Sequence, residues 1–168
     1  MLALLGMKPT KYALLVYVLC ACMVKVPAQT LVGRAVKIAD GDTFTLLTSQ
    51  QTQVKIRLAE IDAPEKGQPF ATQAKQALAA LCFGKTVKVR FTKKDRYQRV
   101  IGYVFTNDGQ NINEWMVENG FAWQFEKYSN STRLRQLQAQ AKQRKKALWS
   151  QPNPTPPWLW RSQQRKGQ

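Results

Sequence analysis

Residues 31–58 read LVGRAVKIADGDTFTLLTSQQTQVKIRL, three apolar segments separated by turn residues. In the last segment, QVKIRL at 53–58, apolar and polar residues alternate, so every second side chain faces one side of a strand. Asp-Gly-Asp at 40–42 is a strong turn signal between the first two segments. The pattern therefore predicts three consecutive strands, over 31–38, 44–47 and 53–58.

Outward from this stretch, the chain predicts two more strands and about three helices. Proline suits the start of the first helix and Gly84 its end, with apolar residues at helical spacing between them. A helix among strands, followed by further helices, predicts an α+β fold: a five-stranded, partly open barrel of the oligonucleotide-binding (OB) type. The additional strands are 86–91 and 100–105, and the helices are 69–82, 112–116 and 134–148.

The charge balance predicts a polyanionic partner. Lys and Arg number 26 against 10 Asp and Glu, a formal net charge of +16. Binding driven by such a charge weakens steeply as salt rises, and it does not distinguish an enzyme from a binding protein. The chain has no histidine, which excludes Ser-His-Asp hydrolysis, Cys-His proteolysis and His-ligated zinc.

Half of the acidic residues fall between positions 40 and 65. Asp42 follows the glycine turn and Asp62 ends a later strand, so pairing of those strands would bring both carboxylates to one end of the barrel. Pro64 favours an extended Ala63, whose carbonyl becomes a third candidate ligand. Oxygen-only ligation of this kind suits calcium. The alternative is that 40–42 is only a hairpin turn and Asp62 a loop cap.

Three further residues have the chemistry that a phosphodiester would require. Glu65 can accept a proton from water, since no histidine competes for that role. Arg57, on the strand face opposite the core, and Arg99, at the start of the last strand, can each grip phosphate with a planar guanidinium. The alternative for each arginine is a solvated surface charge.

Together these stretches resemble the staphylococcal nuclease (thermonuclease) family, over about residues 31–150. The resemblance rests on three motifs that occur together in the family's order, a combination that is highly specific for this family. The motifs are DGDT at 40–43, RLAEIDAPE at 57–65 and DRYQR at 95–99, and weaker similarities lie at 113–114, 120–122 and 147–150.

The resemblance implies a calcium-dependent endonuclease that hydrolyses DNA and RNA with low sequence specificity and leaves 3′-phosphate ends. It also implies a role for each matching position. Asp42, Asp62 and the Ala63 carbonyl would bind calcium, with Asp40 near the metal but outside its ligand set. Glu65 would be the general base and Arg57 and Arg99 the phosphate clamps, while Arg96, Tyr97 and Tyr128 would contact the nucleotide.

The chain departs from the family pattern at two places near these motifs. Gln98 stands between Tyr97 and Arg99, where the family usually has glycine, which predicts a reshaped turn before Arg99. Only three residues separate Glu65 from Pro69, so the loop over the site is short. Neither change removes a group that the chemistry requires.

The N-terminus predicts export. An apolar run over 12–24 follows two lysines and is too short to span a bilayer. Val-Pro-Ala at 26–28 offers small residues for signal-peptidase cleavage after Ala28. Leu-Cys-Ala-Cys at 19–22 also resembles a lipobox, which would leave a lipid on Cys22 and attach the protein to a membrane. Soluble export and lipid anchoring both stay open, as does the start, at Met1 or Met7.

The chain thus divides into a signal peptide at 1–28, a nuclease-like domain at 29–150 and a Pro/Trp/basic tail at 151–168, which we expect to be linker-like. After cleavage Cys82 would be the remaining cysteine, so no intrachain disulfide is expected. We expect a monomer without an obligate protein partner. The competing hypothesis is a non-catalytic OB module that binds single-stranded nucleic acid; it fits poorly, because the acidic residues and arginines are all present.

Overall fold

The computed structural model describes residues 28–166; most of the predicted signal peptide, including Cys22, lies outside the described residues. Five strands form a closed barrel in the order β1-β2-β3-β6-β5, and the short strands β4 and β7 form a separate pair. This confirms the predicted α+β fold with an OB-type barrel, although the barrel is closed rather than partly open. The strands are β1 Gln29–Ile38, β2 Thr43–Thr48, β3 Gln53–Leu58, β4 Ile61–Asp62, β5 Thr86–Lys94, β6 Val100–Phe105 and β7 Trp123–Gln124.

The barrel closes through one parallel contact. The first three strands form an antiparallel meander, β5 pairs with both β1 and β6, and β6 runs parallel to β3. Alternation along the strands fills the interior with apolar side chains, including Phe44, Leu46, Ile56 and Leu58. A register shift between Ala35 and Lys37 interrupts the alternation in β1.

The described part of the chain also contains four α-helices and one 3₁₀ helix, of which the first two pack on barrel strands. The helices at 112–118 and 132–143 each begin after a capping residue. The Asn111 and Ser131 side chains accept hydrogen bonds from backbone N–H groups in the first turns, which have no partner within the helix. The helices are α1 Ala71–Cys82, α2 Ile112–Glu118, α3 Thr132–Gln143, the 3₁₀ helix Ala147–Ser150 and α4 Pro157–Lys166.

Helix α4 is the main difference from the sequence prediction, because it lies in the tail that we expected to be linker-like. Pro157 is buried at its first turn, where a missing backbone N–H costs nothing. The Trp158 ring stacks on Phe125, with centroids 5.2 Å apart and an interplanar angle of 4°. Gln68 Nε2 donates to the Thr155 carbonyl at 2.6 Å. Aromatic burial and this hydrogen bond therefore hold the tail against the segments that contain Gln68 and Phe125.

The turn between β1 and β2 is packed against α1. A Cβ on Gly41 would lie 2.7 Å from the Cβ atoms of both Ala63 and Ala74, closer than side chains can approach. Glycine at this position therefore lets the Asp-Gly-Asp turn sit directly beside the strand that ends at Asp62 and beside α1.

Cys82 is fully buried in α1, and burial raises the pKa of its thiol to about 12. The thiol therefore stays protonated and has no part in the site below. None of the helices between residues 28 and 166 is long and apolar enough to cross a membrane.

Candidate active site

Two buried carboxylates converge on one guanidinium at one end of the barrel. Pairing of β2 with β3 sets Thr43 opposite Arg57, and the Leu58 N–H donates to the Asp42 carbonyl at 2.8 Å. Arg57 Nη1 lies 2.6 Å from Asp42 Oδ2, and its Nη2 lies 2.8 Å from Asp62 Oδ1. Asp42 and Asp62 are only 6% and 1% exposed. The guanidinium of Arg57 therefore bridges the two carboxylates, which both face the same cationic group.

Hydrogen bonds from neighbouring groups fix the position of the Asp42 side chain. Its Oδ2 accepts the Ala63 N–H at 2.7 Å, and its Oδ1 accepts the Thr43 hydroxyl at 3.1 Å. Its own N–H donates to Asp40 Oδ1 at 3.0 Å, so Asp40 shapes the turn. Burial raises the pKa of Asp42 to about 7, Arg57 opposes that rise, and the charges of Asp40 and Asp62 add to it. A further cation would favour the charged carboxylate.

The donor chemistry here fits calcium. Asp42 and Asp62 supply hard oxygen donors, the chain has no histidine, and the cysteine in the described residues 28–166, Cys82, is buried. These donors therefore do not favour a transition metal. Within residues 28–166, no three His, Cys, Asp or Glu side chains form a metal-binding group. The Ala63 carbonyl stays the candidate third ligand that the resemblance implies, with water completing the shell.

Glu65 lies beyond β4 on a loop that Gln68 closes. The Glu65 N–H donates to Gln68 Oε1 at 3.0 Å, and the Gln68 N–H donates back to the Glu65 carbonyl at 2.9 Å. The Glu65 side chain is 39% exposed, and its Oε1 pairs with Arg161 Nη1. The same guanidinium contacts Asp62, with Nη2 2.8 Å from Oδ2 and Nη1 3.2 Å from Oδ1. The structure thus brings Asp42, Arg57, Asp62 and Glu65 together and adds Arg161 to them.

Arg99 is presented by the turn before β6 and pairs with Asp95, its Nε lying 2.8 Å from Oδ2. Burial disfavours the charged form of Asp95, but hydrogen bonds from the Arg99 side chain and backbone and from the Tyr97 N–H outweigh it and lower the Asp95 pKa. The β3–β6 pairing sets Val100 beside Ile56 and Ile101 beside Arg57, so Arg99 lies just before the strand that neighbours β3. In the described structure its guanidinium contacts Asp95 and the Tyr97 ring rather than Asp42, Asp62 or Glu65.

The other predicted substrate contacts lie on the surface. Tyr97 and Tyr128 are 62% and 63% exposed. Arg96 Nη2 donates to the Tyr97 hydroxyl at 2.7 Å, and the guanidinium lies over the Tyr97 ring. Tyr128 meets Phe125 edge to face, with centroids 4.8 Å apart. These side chains are available to a ligand, but Phe125 already stacks on Trp158 of the tail.

The turn before Arg99 keeps a left-handed residue without a glycine. Gln98 has φ 61°, its N–H donates to the Asp95 carbonyl at 3.0 Å, and the Arg99 N–H donates to Asp95 Oδ1 at 2.9 Å. A left-handed conformation costs a residue with a Cβ about 1–2 kcal/mol, which glycine avoids. The predicted reshaping is therefore not seen: the turn keeps the left-handed conformation that glycine favours, and Gln98 adopts it at a cost in backbone strain.

Gln98→Gly should raise the free energy of unfolding, by up to about 1 kcal/mol once the greater flexibility of unfolded glycine is subtracted. Urea denaturation measures this change. Gln98→Ala is the matched control, because it removes the side chain but keeps the strained backbone, and it should bring no gain. Equal stability of the glycine and alanine variants would contradict strain at this turn.

Sequence reasoning missed three arrangements. Glu60, close in sequence to the acidic cluster, accepts from the Ser129 hydroxyl at 3.1 Å instead of joining Asp62. Buried Asn113 donates to the Ala59 and Gly102 carbonyls and accepts from Val104, so it ties α2 to the barrel just before the site. The third is the contact of Arg161 with Asp62 and Glu65. Its signal in the sequence is that Arg161 follows Trp158 by three residues, so the two side chains share one side of a helix.

The chain is similar to nucleases in sequence. A sequence model of the family described as staphylococcal nuclease homologue matches residues 55–151. A protein of Escherichia coli named an uncharacterized endonuclease is 44% identical over 129 residues, which cover 77% of this chain and 84% of that protein. Micrococcal nuclease of Shigella flexneri is 41% identical over 139 residues, covering 77% and 79%. Protein ParB of Escherichia coli is 37% identical over 168 residues, covering 92% and 94%.

Proposed function

The chain belongs to the staphylococcal nuclease family, and from that premise we propose that it is a calcium-dependent endonuclease that hydrolyses DNA and RNA with low sequence specificity. The products would carry 3′-phosphate ends. The observation that carries the proposal is the convergence of Asp42 and Asp62 on the Arg57 guanidinium, with Glu65 joined to Asp62 through Arg161. A non-catalytic binding protein would have no use for three carboxylates gathered in a chain of net charge +16.

Asp42 and Asp62 would hold the calcium ion, with the Ala63 carbonyl as a further ligand and Asp40 supporting the turn. When bound, calcium would supply positive charge against which the phosphoryl oxygens and the attacking water are stabilised. Both carboxylates are buried and held by neighbours, so the two proposed ligand side chains are already fixed in position.

Glu65 would act as the general base. Its carboxylate is partly exposed, so a water molecule can reach it, and it would accept the proton as that water attacks phosphorus. Arg57 and Arg99 would grip the phosphoryl oxygens as negative charge spreads over them, each with two parallel N–H donors. For Arg57 this requires exchanging part of its contact with Asp42 and Asp62 for phosphate.

The exposed side chains Arg96, Tyr97 and Tyr128 would contact the nucleotide outside the reacting phosphate. An arginine can pair with a neighbouring phosphate, and an exposed tyrosine offers a face on which an unpaired base can stack. These contacts do not distinguish one base from another, which is consistent with low sequence specificity.

We also propose that the protein is exported and acts as a monomer. The apolar run over 12–24 and the small residues at 26–28 support export, and the lipobox-like 19–22 keeps a lipid anchor on Cys22 as the alternative. Mass spectrometry of the mature protein separates the two, because a lipid on Cys22 and a free N-terminus at Gln29 differ in mass.

A labelled oligonucleotide tests the chemistry. Single-stranded DNA or RNA carrying a 5′ label should be cut in calcium buffer at many positions, and phosphatase treatment should shift every product because each ends in a 3′-phosphate. Glu65→Gln is the control against a contaminating nuclease and should cut far more slowly. Products that phosphatase leaves unshifted would contradict the proposed end chemistry, and binding without cutting would favour the non-catalytic alternative.

A further inference from the structure

Arg161, 99 residues beyond Asp62 in the chain, engages two of the acidic groups that the proposed reaction requires. Its guanidinium makes two contacts with Asp62, at 2.8 and 3.2 Å, and a third with Glu65 Oε1. The buried carboxylate of Asp62, 1% exposed, thus pairs with two guanidinium groups, those of Arg57 and Arg161.

The tail, rather than the reach of one flexible side chain, sets the position of Arg161. Trp158, one helical turn earlier, stacks on Phe125 and meets the Trp123 ring edge to face at 5.9 Å. The Thr155 carbonyl accepts from Gln68 Nε2, and Gln68 also holds the Glu65 loop. Residues 155–161, called the strap below, are therefore docked on the domain at both ends.

We propose that the strap is an intramolecular inhibitor, in which Arg161 takes the place of an external cation at Asp62 and Glu65 until calcium and nucleic acid displace it. The inference rests on the proposed function, since it concerns the same carboxylates. It goes beyond that function by giving the nuclease a closed, inactive state built into its own tail.

The contacts of Arg161 explain why the docked strap and a bound calcium ion exclude each other. Arg161 contacts both carboxylate oxygens of Asp62, and Arg57 shares one of them. A calcium ion would need direct contact with the same oxygens, so the Arg161 guanidinium and the ion compete for Asp62. Arg161 also contacts Oε1 of Glu65, an oxygen that the attacking water would otherwise approach.

The strap also covers the surface next to the proposed nucleotide contacts. Trp158 lies flat on Phe125, and Phe125 in turn contacts Tyr128, so the tail occupies the aromatic face beside that tyrosine. Opening would free Phe125 and Trp158 for stacking with bases. It would also free Arg161 to bind phosphate, which gives the substrate a direct means of keeping the strap open.

The strap contacts suit a reversible inhibitor. The Arg161 side chain is 36% exposed, and ion pairs that water reaches contribute little and weaken with salt. A ligand that binds only the open form loses apparent affinity in proportion to the open fraction, so a strap docked nine-tenths of the time lowers calcium affinity about tenfold.

Calcium titration by calorimetry, without nucleic acid, tests the proposal. Arg161→Gln removes the cation, and Trp158→Ala loosens the strap without touching the acidic side chains. Both should bind calcium about tenfold more tightly than the wild type. Arg165→Gln, which removes an exposed arginine of the same helix, should bind as the wild type does. In the wild type, calcium should also speed hydrogen exchange of the backbone amides at 158–166.

Each other result has a definite meaning. Equal or weaker calcium binding by Arg161→Gln, with a wild type that binds calcium, would overturn the inhibitory strap and leave the proposed nuclease intact. Absence of calcium binding in the wild type and all variants would overturn both the calcium site and the strap. Binding by the Arg161 and Trp158 variants alone would be the strongest support, since the strap would then block the site completely.

Discussion

Asp62→Asn should reduce calcium affinity by on the order of a hundredfold or more, since it removes a charged ligand from a site with few of them. Turnover should fall by about three decades, as expected when a group that stabilises the transition state is lost. Calorimetry measures the first effect and single-turnover cleavage the second. Asp42→Asn should lower calcium affinity and turnover in the same way, because Asp42 is the other proposed calcium ligand and contacts the same arginine as Asp62.

Asp108→Asn is the matched control for the loss of one negative charge. Asp108 is an exposed residue of the turn after β6, where its carboxylate accepts from the Thr106 hydroxyl. Its replacement should leave calcium affinity and turnover unchanged. Asparagine at position 62 also leaves the Arg57 and Arg161 guanidinium groups short of a counter-charge, so unfolding by urea should be measured alongside. Unchanged calcium affinity in a folded Asp62→Asn protein would contradict the metal site.

Glu65→Gln should reduce turnover by about two to four decades, the usual contribution of a general base. Arg57→Lys and Arg99→Lys keep the charge but lose the planar fork, and should also lose turnover heavily. Nucleic-acid binding should change little in all three, because these groups act mainly on the transition state. Rates at saturating substrate, measured across pH, distinguish them.

Alkaline solution can supply a stronger nucleophile and partly replace a missing base, but it cannot replace a phosphate clamp. The rate should therefore climb more steeply with pH for Glu65→Gln than for either arginine variant. Arg57→Lys should in addition alter calcium affinity, because Arg57 contacts both Asp42 and Asp62, whereas Arg99 contacts Asp95. Parallel pH profiles in the three variants would argue against Glu65 as the base.

Local pattern was sufficient for most of the barrel. Alternation in QVKIRL predicted β3 with both of its ends, and the prediction for 100–105 matches β6. The Asp-Gly-Asp turn links β1 to β2 as expected, since glycine there allows the close approach of α1. These features depend on residues that are close in the sequence. The periodicity of apolar residues and the identity of the turn residues are therefore sufficient to predict them.

Contacts between distant residues could not be predicted in the same way. The proline-rich start of the tail suggested a linker, but Trp158 finds an aromatic surface on the domain that no local pattern reveals. Arg161 then meets Asp62 and Glu65 across almost a hundred residues of chain. Glu60 shows the reverse, since it is near Asp62 in sequence but contacts Ser129.

The dependence of cleavage on free calcium tests the central claim most directly. An end-labelled single strand is incubated with the wild-type protein at calcium concentrations fixed by a chelator, and the initial rate is measured at each. The rate should rise with free calcium to a plateau, vanish when the chelator is in excess and return when calcium is restored. A rate that stays the same with the chelator in excess would contradict a calcium-dependent nuclease.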